Sequence, residues 1–391
     1  MANNNPVVLV HGIFGFGPKE LGKLNYWGSA FRVHSPLQRH EASVGPISSA
    51  HDRACELAAQ IKGTQVDYGE QHAGQEKHER YGYDYTTKGG WEPFVPDWSE
   101  SKPIHLVGHS LGSPTIRCLQ HLLEIDYWGW GSNNRWVKSI STISGVSNGS
   151  TLTYYFGADE QTGLIKKDSL GTALLVMIET YMYATHAIRE NIYNFDLDHW
   201  GFERKPNESL TNYLRRVAKS NFFKGKDNAC YTLTLQGAYA DNTVWQTYPD
   251  TYYFSYVTEQ TFPSPLTKWY YPEPCMNPAM LSLATYIGRK TFERPLIEVD
   301  YFQSADWWKE WWENDGAVPT YSQLYPRISG SHPVGDKFND NTPIDHFQKG
   351  KWYYTWERDM DHLDVCISPQ LTQFGRQKRF YINLFKRLQA L

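Results

Sequence analysis

The chain has 391 residues, a formal net charge of −4 and an aromatic content of 15%. This length can bury a sizeable core, and the mixed charge, without long runs of one sign, indicates neither nucleic acid nor an anionic membrane surface as a partner. Five scattered cysteines form no disulfide framework, no run reaches the ~20 apolar residues of a membrane span, and no signal peptide is recognisable. Composition therefore leaves both the cytosol and a secreted mature form open.

The first predicted element is a buried strand over residues 6–10, which runs into the segment His11-Gly12-Ile13-Phe14-Gly15-Phe16-Gly17. A strand followed by His-Gly is typical of the oxyanion loop of α/β-hydrolases, where a backbone N–H binds the negative oxygen of a tetrahedral intermediate. We assign that role to the backbone N–H of Ile13. The alternative is a dinucleotide-binding loop, but the segment lacks the G-x-G-x-x-G spacing and the acidic residue after a second strand.

A second strand and a helix over 52–61 are predicted next, followed by the polar segment 66–82, which has little apolar periodicity. A solvated loop is the ordinary interpretation of such a segment. However, a long irregular stretch inside a compact domain usually has a function or is held by a specific site.

The central motif is Gly108-His109-Ser110-Leu111-Gly112, a G-x-S-x-G sequence between a predicted buried strand and an amphipathic helix. Strand, sharp turn and helix are the context that a nucleophile elbow requires. We predict that Ser110 is the nucleophile and that the backbone N–H of Leu111 is the second oxyanion donor. The alternative is a glycine-bounded turn in which the serine takes no part in chemistry.

The second half of the chain is predicted to complete one α/β domain with a cap. A strand is predicted over 136–143, and a helix over 169–192 has a broad apolar face that suits either a core helix or a lid. Short strand-like runs are predicted at 231–236 and 252–258, and no Gly/Ser-rich linker separates these elements.

A serine nucleophile requires a base and an acid, which α/β-hydrolases carry in the order Ser, Asp or Glu, His. Asp315 lies in a turn signature, 314–319, which would otherwise be a plain surface turn. Of the three histidines that follow it, His332 and His346 lie in loops rich in Pro, Asp and Asn, whereas His362 follows a predicted aromatic strand, 352–356. We therefore expect Asp315 to be the acid and His362 the base.

Several motifs in a fixed order resemble the family I.5 lipases, the true lipases of thermophilic bacilli and staphylococci, which have related plant hydrolases. These motifs lie at residues 11–17, 25–28, 52–56, 66–69, 78–82, 196–202, 251–256, 313–316 and 361–364, so that the resemblance covers residues 6 to about 388. It implies an α/β-hydrolase fold with a mostly parallel central sheet and helices on both faces. It also implies one domain over residues 1–391, with a zinc-binding insertion at 62–100 and a lid or cap region at about 150–230.

The resemblance also implies two metal sites. The family holds a structural zinc ion through two aspartates and two histidines, and the matching positions are Asp52, His72, His78 and Asp227. Such a set suits tetrahedral Zn²⁺ with no open position. The family carries calcium near the base, and Asp364 matches one of its ligands. Ser368 replaces another ligand, an aspartate, and this loss weakens the attraction for a hard cation.

These features predict a serine carboxylic-ester hydrolase of lipase type, which cleaves acylglycerols or other hydrophobic esters through an acyl-serine intermediate, in part at a lipid–water interface. One alternative is a carboxylesterase or polyesterase that acts on small or polymeric esters without interfacial activation. A second is a non-catalytic, zinc-stabilised binding module, against which the presence of all three catalytic residue types argues. The family further suggests secretion.

Overall fold

A computed structural model of the chain describes residues 3–18, 25–166, 195–293, 296–297, 302, 305–330, 332–367 and 373–391. Its strands are β1 (Val7–Val10), β2 (Arg39–Ala42), β3 (Gln65–Asp67), β4 (Tyr81–Asp84), β5 (Ile104–His109), β6 (Val137–Ile143), β7 (Tyr252–Glu259), β8 (Thr261–Pro263), β9 (Tyr270–Pro272), β10 (Val334–Lys337) and β11 (Trp352–Arg358). Seven of them form one sheet in the order β10-β11-β7-β6-β5-β1-β2, in which every pair is parallel. The β3–β4 and β8–β9 pairs are antiparallel.

The α-helices of the described residues are α1 (Ala50–Lys62), α2 (Glu70–Glu76), α3 (Gly112–Glu124), α4 (Leu152–Tyr155), α5 (Leu210–Ala218), α6 (Ala229–Thr232), α7 (Leu235–Val244), α8 (Leu281–Ile287), α9 (Thr320–Leu324) and α10 (Phe374–Ala390). Short 3₁₀-helices lie at Thr87–Gly89, Asn134–Trp136, Asp198–Trp200, Phe222–Lys224, Pro278–Met280, Trp307–Trp311 and Ile344–His346. The boundaries of α1 follow local chemistry. The Ser49 side chain accepts a hydrogen bond from the Asp52 N–H at 3.2 Å, and Gly63 ends the helix at a φ of 79°.

Helices cover both faces of the sheet, so its central strands are buried on both sides, and every residue of β1 and β5 is buried. Successive side chains of a strand point to opposite faces. In β1, Val7 and Leu9 pack in one core cluster with α10, while Val8 and Val10 pack in another with α1 and α3. The predicted α/β-hydrolase arrangement, with a mostly parallel sheet between helices, is confirmed.

One local prediction is wrong. The run 231–236 was expected to form a strand, but it contains the end of α6 and the start of α7. The segment 66–82 is not simply a solvated loop, because it contains α2 and the ends of β3 and β4.

The predicted lid helix, 169–192, lies outside the described residues. Among the residues that the structure describes, no helix combines the length and the apolar character that a membrane crossing requires.

Candidate active site

Ser110 occupies the turn between β5 and α3. Its φ of 55° lies in the left-handed region, which residues other than glycine rarely adopt. A Cβ on Gly112 would lie 2.1 Å from the carbonyl oxygen of Val10, and one on Gly108 would lie 2.5 Å from Gly112 carbonyl atoms. Both neighbours of the turn must therefore be glycine. The Ser110 N–H donates to the Ile143 carbonyl at 3.1 Å, which ties the turn to β6.

His362 and Asp315 meet through both their side chains and their backbones. The Nδ1 atom of His362 lies 2.9 Å from Oδ2 of Asp315, and the His362 N–H donates to the Asp315 carbonyl at 2.9 Å. The second carboxylate oxygen of Asp315 accepts the backbone N–H groups of Ala317 at 3.0 Å and Val318 at 2.7 Å. This geometry favours the tautomer of His362 that carries its proton on Nδ1 and leaves Nε2 as an acceptor.

Two side chains that the sequence did not single out complete the surroundings of Asp315. The Thr258 hydroxyl donates to Oδ2 at 2.8 Å, and the Gln323 amide donates to the same atom at 3.2 Å. Asp315 is fully buried, so these donors replace the water that the carboxylate loses on folding. Both come from elements beside the turn, the end of β7 and helix α9.

Ser110 and His362 line one cleft of about 860 Å³, counting the space open to solvent. The remaining walls are mainly apolar and include Val146, Leu152, Phe156, Leu233, Met280 and Leu283. A cleft of this kind accommodates an apolar ligand and exposes it to few polar groups besides the serine and the histidine.

The oxyanion loop is anchored through the peptide that joins Gly12 to Ile13. The Val44 N–H donates to Nε2 of His11 at 3.2 Å, so the other ring nitrogen, Nδ1, carries the proton and donates to the Gly12 carbonyl at 2.9 Å. Burial, reinforced by the Arg53 guanidinium, lowers the pKa of His11 to about 3 and keeps the ring neutral. The carbonyl end of this peptide is thus fixed, and Ile13 lines the cleft.

The backbone N–H groups of Ile13 and Leu111 are available as donors. Within the described part of the chain, neither donates a hydrogen bond to another protein group. The Arg53 side chain of α1 holds the surrounding loops together, since it donates to the His11 carbonyl, to the Gly45 carbonyl at 2.6 Å and to the Thr115 hydroxyl at 2.9 Å. Arg53 was not predicted as part of the site.

Asp52, His72, His78 and Asp227 come together away from the cleft, with one ligand atom from each within 4.8 Å of the others. The Nε2 atom of His72 lies 3.2 Å from a carboxylate oxygen of Asp52 and 3.2 Å from one of Asp227. The Nε2 atom of His78 is buried without a hydrogen-bond partner among the described residues and lies 3.5 Å from Asp227. An orphaned nitrogen beside two buried carboxylates fits a bound cation, so this group can hold a metal ion.

His199 supports this cluster and was missed by the sequence analysis, although its motif was noted. Its Nε2 atom lies 3.1 Å from Oδ2 of Asp52, and its Nδ1 atom lies 3.4 Å from the Tyr68 hydroxyl. Burial acts to raise the pKa of the Asp52 carboxyl, but hydrogen bonds from His199, His51 and His72 outweigh it and hold that pKa well below its usual range. Asp52 is therefore a charged, oriented carboxylate, as a metal ligand must be.

The surroundings of Asp364 do not resemble a metal site to the same degree. Its Oδ2 atom accepts the Asp361 N–H at 3.0 Å, and Ser368 lies outside the described residues. Among the described residues, the group at Asp52 is the one in which three or more acidic, histidine or cysteine side chains converge. The calcium ion expected at Asp364 stays a prediction.

Comparison with known proteins agrees with the resemblance seen in the sequence. Residues 3–390 match the family model described as lipase-like, C-terminal domain. Lipase 2 of Staphylococcus aureus is 34% identical over 411 aligned positions, which cover 98% of this chain and 53% of the relative, so that the chain spans about half the length of this curated relative. Among solved structures, EstA from Clostridium botulinum is 33% identical with a TM-score of 0.80, covering 100% of this chain and 88% of that one. Lipase 1 from Pelosinus fermentans is 32% identical with a TM-score of 0.75, covering 100% and 99%.

Proposed function

The chain belongs to the family of lipase-like C-terminal domains, and we propose that it is a serine hydrolase that cleaves hydrophobic carboxylic esters. The observation that carries the proposal is the apolar cleft that presents Ser110 and His362 together, with His362 bonded to the buried Asp315 at 2.9 Å. A nucleophile, a base and an acid in this arrangement suit acyl transfer.

In the proposed reaction, Ser110 Oγ attacks the ester carbonyl carbon while its proton passes to Nε2 of His362. The carbonyl oxygen becomes negative and accepts hydrogen bonds from the backbone N–H groups of Ile13 and Leu111. The intermediate collapses to an acyl-serine, and the leaving alcohol takes the proton from His362. Water then attacks the acyl carbon as His362 takes one of its protons, and the bond to Ser110 Oγ breaks, which releases the carboxylic acid as His362 returns the proton to Ser110. Asp315 stabilises the imidazolium that forms in each half-reaction.

We propose acylglycerols or similar hydrophobic esters as substrates, since the walls of the cleft are apolar. Contact with a lipid–water interface is supported by the hairpin of β8 and β9, which exposes Phe262, Trp269 and, at its tip, Leu266 with 93% of its surface accessible. We also propose that the chain forms one domain over 1–391, with a metal-binding insertion at 62–100 and a cap at about 150–230.

We further propose that the metal is zinc and that its role is structural. Two imidazole nitrogens and two carboxylate oxygens from Asp52, His72, His78 and Asp227 are a ligand set that Zn²⁺ accepts in a closed tetrahedral site. When bound, the ion would cross-link α1, the α2 region and the loop before α6. It supplies no chemistry to the cleft.

The test is hydrolysis of p-nitrophenyl esters from acetate to palmitate, below and above the solubility of each ester. Wild type is compared with Ser110→Ala and with Ser141→Ala, which removes a buried hydroxyl of β6 that has no hydrogen-bond partner among the described residues. We expect Ser110-dependent activity that rises with chain length and increases at the interface. Activity confined to short soluble esters would instead indicate a carboxylesterase, and activity that survives in Ser110→Ala would overturn the assignment of the nucleophile.

A further inference from the structure

Tyr26 joins two parts of the site through its buried hydroxyl. Its oxygen accepts the backbone N–H of Gly12 at 2.8 Å and lies 2.6 Å from Nδ1 of His109. Gly12 precedes Ile13 in the oxyanion loop, and His109 precedes Ser110 at the end of β5. The side chain of Tyr26 also lines the cleft.

His109 continues this connection to the proposed base. Its Nε2 atom lies 3.1 Å from the backbone carbonyl oxygen of His362. His109 is buried, and this burial, together with the nearby His362 ring, holds the pKa of His109 well below its usual range. The ring is therefore neutral and carries one proton.

Only one arrangement of protons satisfies all these contacts. The carbonyl oxygen of His362 can only accept, so Nε2 of His109 must donate and its Nδ1 atom must accept. The Tyr26 hydroxyl then donates to Nδ1 while its oxygen accepts from Gly12. The result is a directed chain of hydrogen bonds from the oxyanion loop, through Tyr26 and His109, to the backbone of His362.

We propose that Tyr26 and His109 are positioning residues that hold the oxyanion loop and the His362 loop in place relative to Ser110. This inference rests on the proposed ester hydrolysis, because the groups that are positioned, Ser110 and His362, have their roles in that reaction. Neither Tyr26 nor His109 is assigned contact with reacting atoms. Each hydrogen bond of this network involves a residue that has a proposed role in the reaction, or the residue next to one: Ile13, Ser110 or His362. Loss of the Tyr26 hydroxyl would leave the Gly12 N–H without its acceptor and His109 Nδ1 without its donor. Both loops would then be held less firmly in place relative to Ser110.

Tyr253 offers a matched control. Its hydroxyl is equally buried, accepts the Tyr248 N–H at 2.8 Å and donates to the Gln120 side chain at 2.8 Å. It lies near the start of β7, whereas Thr258, beside Asp315, lies near the end of that strand. Removing either hydroxyl therefore deletes the same kind of bonds, but only Tyr26 is connected to the site.

The experiment compares Tyr26→Phe with Tyr253→Phe. For each variant, kcat and KM are measured on soluble p-nitrophenyl butyrate, together with the melting temperature and the inhibition constant Ki of an alkyl boronic acid, which mimics the tetrahedral intermediate. We expect similar melting temperatures for the two variants. In Tyr26→Phe, kcat should fall about tenfold or more, short of the ~10²–10³-fold loss on deleting an oxyanion donor outright. Its KM should stay within about twofold and its boronate Ki should rise in proportion, whereas Tyr253→Phe should keep the wild-type kcat.

A double-mutant cycle tests whether Tyr26 acts through His109. If the two residues form one unit, Tyr26→Phe/His109→Phe should lose no more kcat than the worse single variant. Should His109→Phe fail to fold, the comparison of the two tyrosine variants still decides the question. A Tyr26→Phe protein with kcat within twofold of Tyr253→Phe would overturn the inference. Failure of the proposed function has a different signature, namely no ester hydrolysis by wild type or full activity in Ser110→Ala.

Discussion

Replacing Asp315 by asparagine should remove most of the activity while leaving the size of the side chain unchanged. One carboxylate oxygen accepts two backbone N–H groups, and the other accepts hydrogen bonds from Thr258, Gln323 and His362. An amide can present an acceptor to only one of these sets. In one of the two orientations its NH₂ group faces Nδ1 of His362, and the imidazole can accept a hydrogen bond there only if its own proton moves to Nε2. That tautomer cannot accept the Ser110 proton.

The expected loss of kcat is about 10⁴-fold, or roughly 5 kcal/mol in the barrier, which is the scale seen when a triad carboxylate becomes an amide. The assay is steady-state hydrolysis of p-nitrophenyl butyrate, with circular dichroism to show that the variant folds. Asp126→Asn is the control, because the Asp126 carboxylate also accepts a backbone N–H, that of Ser132 at 2.9 Å, and lies beyond the far end of α3 from Ser110. A folded Asp315→Asn protein that keeps more than about a tenth of the wild-type kcat would refute this reasoning.

Three further predictions concern stability. Metal analysis should find about one zinc ion per chain. Removal of the ion by a chelator should lower the melting temperature by about 5 °C, since a free zinc concentration of 1,000 times Kd stabilises the fold by ~4.1 kcal/mol and the entropy of unfolding 391 residues is roughly 0.8 kcal/mol/K. Asp227→Ala should abolish the chelator effect, and an unchanged melting curve in wild type would exclude a structural ion. Glu41→Gln should stabilise the protein at pH 8 by on the order of 3 kcal/mol, because burial raises the pKa of Glu41 from 4.5 to about 7. The folded protein binds the Glu41 proton more tightly than the unfolded chain does, so the free energy of unfolding of the wild type falls as pH rises from about 4.5 to 7. Unfolding by denaturant should show little difference between Glu41→Gln and wild type at pH 4.5. An equal gain at pH 4.5 and at pH 8 would contradict the raised pKa of Glu41. Gly112→Ala should destabilise the fold by more than about 2 kcal/mol, since its Cβ would lie 2.1 Å from the Val10 carbonyl oxygen, whereas Gly74→Ala, with nothing within 4 Å, should be tolerated in urea unfolding.

The elements that position the proposed site were predictable because parallel strands share one carboxyl edge. The segments after β1 and β5 carry Ile13 and Ser110, and His362 follows β11, so the motifs placed all three at that edge of the sheet. Asp315 was harder to place, since its turn follows a 3₁₀-helix rather than a strand. Its position depends on contacts with the end of β7 that no local pattern reveals.

Capping explains the strand that was wrongly predicted at 231–236. The alternation of Tyr, Thr and Leu favours a strand, but Asn228 accepts the Tyr231 N–H at 3.1 Å and Thr234 accepts the Gly237 N–H at 3.0 Å. Each side chain starts a short helix, and these local bonds outweigh the alternation. Helix α2 was missed for a different reason: Ala73 is its one buried residue, so it has no apolar stripe to detect.

Contacts across long sequence separations were beyond the sequence analysis. The Tyr26–His109 bond spans 83 positions, and the His199–Asp52 contact spans 147. A buried tyrosine or histidine usually indicates only a core position. Their polar partners become visible when the fold brings the loops together.

Labelling with an alkyl fluorophosphonate tests most directly whether Ser110 is the nucleophile of an ester hydrolase. Intact-mass and peptide mass spectrometry should find one adduct per chain, on the peptide that contains Ser110, with activity lost in proportion to labelling. Ser110→Ala should stay unlabelled, and Asp315→Asn should label far more slowly. An active protein that is labelled at another residue, or that loses activity without a label on Ser110, would contradict the proposed site.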